Sequence, residues 1–146
     1  MILVTIFCEL YMRSYKTHYD YKNEGVLAQL DDIELIAMGN SHTLNDVNPQ
    51  EFDVKTFNLA AGNQSLYYDK RIALKYLDQL MNLKYVLITV DYHSLYFSSQ
   101  GIRDIWSYYT YDIAYKDHSY IKESISYFWF GFTPRVTGSI MKEQFL

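Results

Sequence analysis

Three short polar loops hold the residues best suited to chemistry: Gly39-Asn40-Ser41-His42, Ala61-Gly62-Asn63-Gln64-Ser65 and Asp91-Tyr92-His93-Ser94. Ser41 offers a hydroxyl nucleophile, and Asp91 and His93 form an Asp-x-His pair. A carboxylate fixes an imidazole tautomer, and an oriented imidazole takes the proton of a serine, which is the chemistry of acyl transfer. Residues two apart on an extended segment share a face, so Asp91 can stand behind His93. Each residue also has a plainer reading. Ser41 fits a helix cap or a turn, and Asp91 fits a cap on a following turn with His93 as a loop residue. His42 is a rival base beside Ser41, although adjacent side chains diverge.

These loops need elements to position them. Residues 33–38 form a short apolar run between Asp31-Asp32 and Gly39-Asn40, which predicts a buried strand. A second, weaker strand is expected over 56–60, stopping at Gly62. Residues 67–83 carry Ile72, Leu74, Leu77, Leu80 and Met81 at helical spacing with charges between them, the pattern of an amphipathic helix. The β-branched run 85–90 predicts a third strand buried on both faces. Strand, loop, strand, helix, strand implies a parallel sheet with right-handed crossovers and the first strand between the other two. In such sheets the ligand site lies beyond the carboxyl ends of the strands, where all three polar loops fall. Beyond Gly101, segments 102–115 and 120–132 are rich in aromatic residues and predicted helical, covering a hydrophobic face.

The segment Ile36-Ala37-Met38-Gly39-Asn40-Ser41-His42-Thr43 resembles the first block of the SGNH hydrolases, GDSL-type esterases and acyltransferases, in which a glycine and the nucleophilic serine follow the first strand. Gly39 permits the tight exit from the strand, and the Ser41 N–H faces a developing oxyanion. Phe57-Asn58-Leu59-Ala60-Ala61-Gly62-Asn63-Gln64-Ser65 resembles the second block. The likeness assigns Gly62 an oxyanion-hole N–H, with Asn63 or Gln64 as further amide donors. The third block departs from the pattern: Val90-Asp91-Tyr92-His93 stands where most members carry Gly-x-Asn-Asp, so one oxyanion donor is absent. The Asp-x-x-His near the family's C-terminus is also missing, and His118 reads as a surface residue. Asp91-x-His93 is similar to the pair used by alginate O-acetylation proteins, though there the motif order differs.

The resemblance covers residues 33–95 best, with the Trp106-Ser107-Tyr108-Tyr109 stretch added. It implies a three-layer α/β/α flavodoxin-like parallel sheet, expected to be incomplete at the C-terminus. It implies an esterase or O-acyltransferase acting on acyl esters of a cell-envelope polysaccharide, with a glycan or an acyl-donor protein as partner. The competing expectation is a non-catalytic SGNH-like module that binds a glycan or a membrane partner.

Composition narrows the alternatives. The chain has 146 residues, 49% hydrophobic and 21% charged, which suits one globular domain. A net charge of −4 and scattered Lys and Arg argue against nucleic-acid binding. His18, His42, His93 and His118 lack metal-ligand spacing, the single Cys8 forms no cluster and reads as an inert buried thiol, and no phosphate loop occurs, so no metal or cofactor is expected. Residues 1–10 are mostly apolar but about half as long as the 20 or so a membrane span needs. With the flank Tyr11, Arg13, Tyr15 and Lys16, they read as the remnant of a signal anchor, the alternative being a short amphipathic helix packed on the domain. Residues 1–24 are then anchor and linker, with the domain from 25 to 146 on the extracytoplasmic face of a bacterial envelope.

Overall fold

The computed structural model describes residues 2–13, 16–99 and 103–117. The chain runs through α1 (Ile2–Arg13), α2 (His18–Leu27), β1 (Leu35–Met38), α3 (Ser41–Asp46), β2 (Thr56–Asn58), α4 (Leu66–Leu77), β3 (Tyr85–Ile88) and α5 (Arg103–Tyr111). Short 3-10 turns occupy Pro49–Glu51 and Tyr115–Asp117. The strands form one parallel sheet in the order β2-β1-β3, with Ile36 opposite Phe57 on one side and Val86 on the other. This is a mixed α/β fold, and its strand order is the one the sequence implies.

β1 is buried along its whole length because both neighbours hydrogen-bond to it. On one face its Ile36 and Met38 join Tyr19 and Val26 of α2, Tyr68, Ile72 and Tyr76 of α4, and Trp106 and Tyr111 of α5 in a single cluster. Tyrosines enter this core because their rings pack apolar surface while a hydroxyl can still reach a partner. The Tyr76 hydroxyl donates to Asn23 of α2. Thr17 caps α2 through Asp20, whose Oδ2 accepts from the Thr17 N–H at 2.7 Å and its hydroxyl at 2.9 Å. The other oxygen of Asp20 accepts from Thr110 of α5 at 2.6 Å, which joins the two helices. At Gly25, α2 crosses β2 so closely that a Cβ would stand 2.8 Å from the Phe57 ring. A glycine disfavours a helix by about 1 kcal/mol relative to alanine, and here the close crossing requires it.

Three expectations are corrected. β3 is not buried on both faces: Tyr85, Val86 and Ile88 are exposed, because among the described residues this edge strand packs chiefly on β1 and no helix lies closely over it. The helix expected over 67–83 ends at Leu77, with Asp78 as its C-cap, and Leu80 turns back to bury its side chain. The boundary expected at residue 24 falls inside α2, whose Tyr19 and Val26 belong to the core, so the polar stretch before it is no linker. The low apolar periodicity of α2 hid this, since it buries tyrosine and valine among charged neighbours.

α1 carries Leu3, Val4, Ile6, Phe7, Leu10 and Tyr11 exposed, Leu3 by 81%. Its 12 residues span about 18 Å at 1.5 Å per residue. Among the described residues no helix is long and apolar enough to cross a membrane. The Cys8 side chain, His118 and segment 120–132 lie outside what the structure describes.

Candidate functional site

The three loops meet at the carboxyl edge of the sheet. Loop one begins with Gly39 at φ 138°, a left-handed conformation that disfavours any side chain. Space forbids one as well: a Cβ there would lie 2.4 Å from the Thr43 hydroxyl oxygen. Thr43 is buried at the start of α3, with its hydroxyl 2.5 Å from that of Thr89 and 3.3 Å from the Met38 carbonyl. The turn out of β1 is therefore pinned to the strand leading into loop three.

Asn40 is the N-cap of α3, and its Oδ1 accepts from the His42 N–H at 2.9 Å. Its Nδ2 reaches across to donate to Asp91 Oδ2. Ser41 follows as the first helical residue, exposed, with its N–H free of any acceptor among the described residues. Asn58 of β2 braces α3 from below, donating to the Thr43 carbonyl at 3.0 Å and the Val47 carbonyl at 2.9 Å.

Loop two is a tight turn closed by the Gln64 N–H on the Ala61 carbonyl at 3.0 Å, with Asn63 at φ 62°. Asparagine tolerates that left-handed position. The N–H groups of Gly62 and Asn63 have no acceptor among the described residues. Gln64 is not available as an outward donor. It is buried, and its Nε2 donates to the Asp69 carboxylate at 2.7 Å and faces the Leu59 carbonyl at 3.3 Å. Asp69, in the first turn of α4, is buried, and burial pushes its carboxyl up to about 6 against the opposing pull of Gln64 and of the Gly39 N–H. Its Oδ2 makes no well-formed hydrogen bond among the described residues. Lys22 of α2 donates to the Asn58 carbonyl at 3.1 Å and to that of Ala60, and burial lowers its ammonium to about 8.

Loop three does not pair Asp91 with His93. Asp91 Oδ1 accepts from the Ser94 N–H at 2.8 Å and the Ser94 hydroxyl at 3.0 Å, and the Asp91 N–H donates back to Ser94 Oγ at 2.7 Å. This is a reciprocal cap on the turn that follows, so the segment is not extended and the shared-face expectation does not apply. The Asn40 amide first and Ser94 second hold the Asp91 carboxyl down to about 2, with His42 adding a small favourable charge. His93 is exposed and its ring meets Tyr92 and Phe97. Among the described residues no side chain hydrogen-bonds that ring.

A cleft between the loops, about 240 Å³ including its open mouth, is lined by Asn40, Asn63, Gln64, Ser65, His93, Ser94 and Phe97. One residue from each expected block, Asn40, Asn63 and His93, thus faces a common space, with Ser41 and Gly62 each next in sequence to a lining residue. Sequence reasoning missed Thr43, Thr89, Asp69 and Arg103. Asp69 reads as an exposed charge on an amphipathic helix, and nothing local marks it as buried. Among the described residues no group of three or more His, Cys, Asp or Glu could hold a metal ion.

Fold and site together describe a mixed α/β protein whose parallel sheet carries a polar cleft at its carboxyl edge. Compared with protein-family models, with curated proteins and with solved structures, the chain has no match.

Proposed function

We propose that this chain is an SGNH-type serine esterase or O-acyltransferase acting on acyl esters of a cell-envelope polysaccharide, built on a flavodoxin-like three-layer plan. The observation that carries the reading is the convergence of the three loops on one cleft, with three N–H groups on those loops, of Ser41, Gly62 and Asn63, that have no acceptor among the described residues. In this mechanism Ser41 Oγ attacks the acyl carbonyl carbon as His93 takes its proton. The carbonyl π electrons move onto oxygen, where the free N–H groups stabilise the charge. Collapse breaks the bond to the alkoxide, which leaves with the proton from the imidazole. Water or a glycan hydroxyl then accepts the acyl group. Asp91 acts here as the tie between loops one and three rather than as the partner of the imidazole, and His42 is the alternative base.

The exposed apolar surface of α1 supports attachment to a membrane, and in this reading the domain stands at the extracytoplasmic face. A non-catalytic glycan- or partner-binding module is the second reading, favoured by the commitment of Asp91 to Asn40 and Ser94. A serine-directed phosphonate and a small activated acetyl ester separate the two. The enzyme reading expects labelling and hydrolysis by the wild type, both abolished in Ser41→Ala. Equal labelling of both proteins removes Ser41 from the chemistry, and a folded wild type that neither labels nor hydrolyses supports the binding module.

A further inference from the structure

Arg103 opens α5 with its guanidinium against loop two. Its Nη2 lies 3.8 Å, and its Nε 4.0 Å, from where a Cβ on Gly62 would stand. One turn further along, the buried Trp106 ring lies 5.8 Å from the guanidinium carbon and limits its movement. The Nε is shielded from solvent without a hydrogen-bond partner, and Arg103 pairs with no carboxylate among the described residues. Two more unoccupied donors, the Gly62 and Asn63 N–H groups, sit on the same loop. A cation and two amide donors on one loop, none of them answered among the described residues, suit an acceptor from outside. A desolvated donor without a partner is costly, and a planar guanidinium is the group that best meets a planar or tetrahedral oxyanion.

We infer that Arg103 and the N–H groups of Gly62 and Asn63 form an oxyanion-binding subsite on loop two, taking a carboxylate or phosphate group carried by the ligand. The occupant of the subsite is a charged group already present on the ligand, and it takes the same Gly62 and Asn63 N–H groups that the esterase mechanism gives to the oxyanion. An anion seated here excludes that use of them, so the subsite stands without Ser41 being a nucleophile. It makes recognition selective for anionic ligands in a chain whose own net charge of −4 repels them.

The test is an amide-resolved NMR titration of the full chain with inorganic phosphate, with acetate and with chloride, at constant ionic strength. The expected result is saturable shifts at the Gly62 and Asn63 amides and at the Arg103 guanidinium with phosphate or acetate, and none with chloride. The tighter of the two shows which oxyanion the subsite prefers. Arg103→Gln is expected to weaken binding by about tenfold or more, and Arg103→Lys by less, since the ammonium keeps the charge but loses the fork. Gly62→Ala is the second variant. Its Cβ makes only ordinary contact, so the fold persists while the donors are crowded, and binding falls severalfold. The inference is overturned if neither oxyanion gives saturable shifts at these amides, if chloride gives the same shifts, or if a folded Arg103→Gln binds as tightly as the wild type. Should Arg103→Gln fail to fold, unchanged binding by Gly62→Ala overturns it instead. Retained binding in Ser41→Ala, with or without esterase activity in the wild type, keeps this result separate from the catalytic reading.

Discussion

Replacing Asp69 by asparagine is expected to stabilise the protein at neutral pH. Asp69 is 1% exposed, yet it sits beneath loops one and two with only Gln64 as a side-chain donor. Burial raises its carboxyl from 3.8 to about 6, so the folded state holds the proton more tightly than the unfolded chain does. Folding therefore carries a penalty at pH values above about 6, which is relieved as pH falls from about 6 toward 3.8. At 1.36 kcal/mol for each tenfold change in proton affinity, the penalty at pH 8 is on the order of 3 kcal/mol. Asparagine keeps an oxygen for Gln64 and removes the charge. It also turns an amide donor toward the Gly39 N–H, which costs about 1 kcal/mol. The net expectation is a gain of about 2 kcal/mol at pH 8, shrinking to near zero or reversing at pH 4. Urea unfolding followed by far-UV circular dichroism at pH 4, 6 and 8 reads both the sign and the trend. A variant destabilised at pH 8 by more than about 1 kcal/mol would refute the reasoning, and so would a difference that does not change with pH. Either result makes Asp69 an ionised strut whose hydrogen bonds outweigh its burial.

Gly39→Ala is expected to destabilise by about 3 kcal/mol or more, from the positive φ and the 2.4 Å approach to Thr43, as a fall in the thermal midpoint. Thr43→Ala in the same chain should recover part of that loss, because it removes the atom that clashes. Asn40→Ala and Asp91→Ala should each loosen the tie between loops one and three. Their double mutant should cost less than the sum of the singles in a double-mutant cycle read by denaturant unfolding, and strict additivity would show that the bond contributes nothing. Since the Asp91 carboxyl is held low, its contribution is present above the unfolded value of 3.8 and is lost as pH falls toward about 2.

Much of the framework was legible because it is written in local patterns. The apolar runs at 33–38 and 85–90, each ending in polar loop residues, identify strands without any knowledge of what packs on them. The helical spacing of Ile72, Leu74 and Leu77 with charges between them does the same for α4. Residues whose role depends on a distant partner were not legible. Asp91 and Asn40 are 51 positions apart, and neither type betrays the bond between them. The Asp-x-His spacing suggested an extended pair, whereas the Ser94 hydroxyl and N–H draw the same carboxylate into a turn cap. The sequence reads the part of α2 up to Glu24 as linker because its Tyr19 becomes core only once α4 and α5 lie over it.

By itself, then, the sequence determined the three parallel strands and the polar loops that end them, because chain exits at Gly39 and at the Ala61-Gly62-Asn63 turn are dictated by local sterics and hydrophobic pattern. Only the tertiary structure decided that β3 lies at an edge with its apolar side chains exposed, that Asp69 is buried, and that Arg103 comes to rest against Gly62. Those outcomes depend on which surfaces meet after the crossover helix has closed. Burial and electrostatic environment belong to that meeting, not to any residue alone.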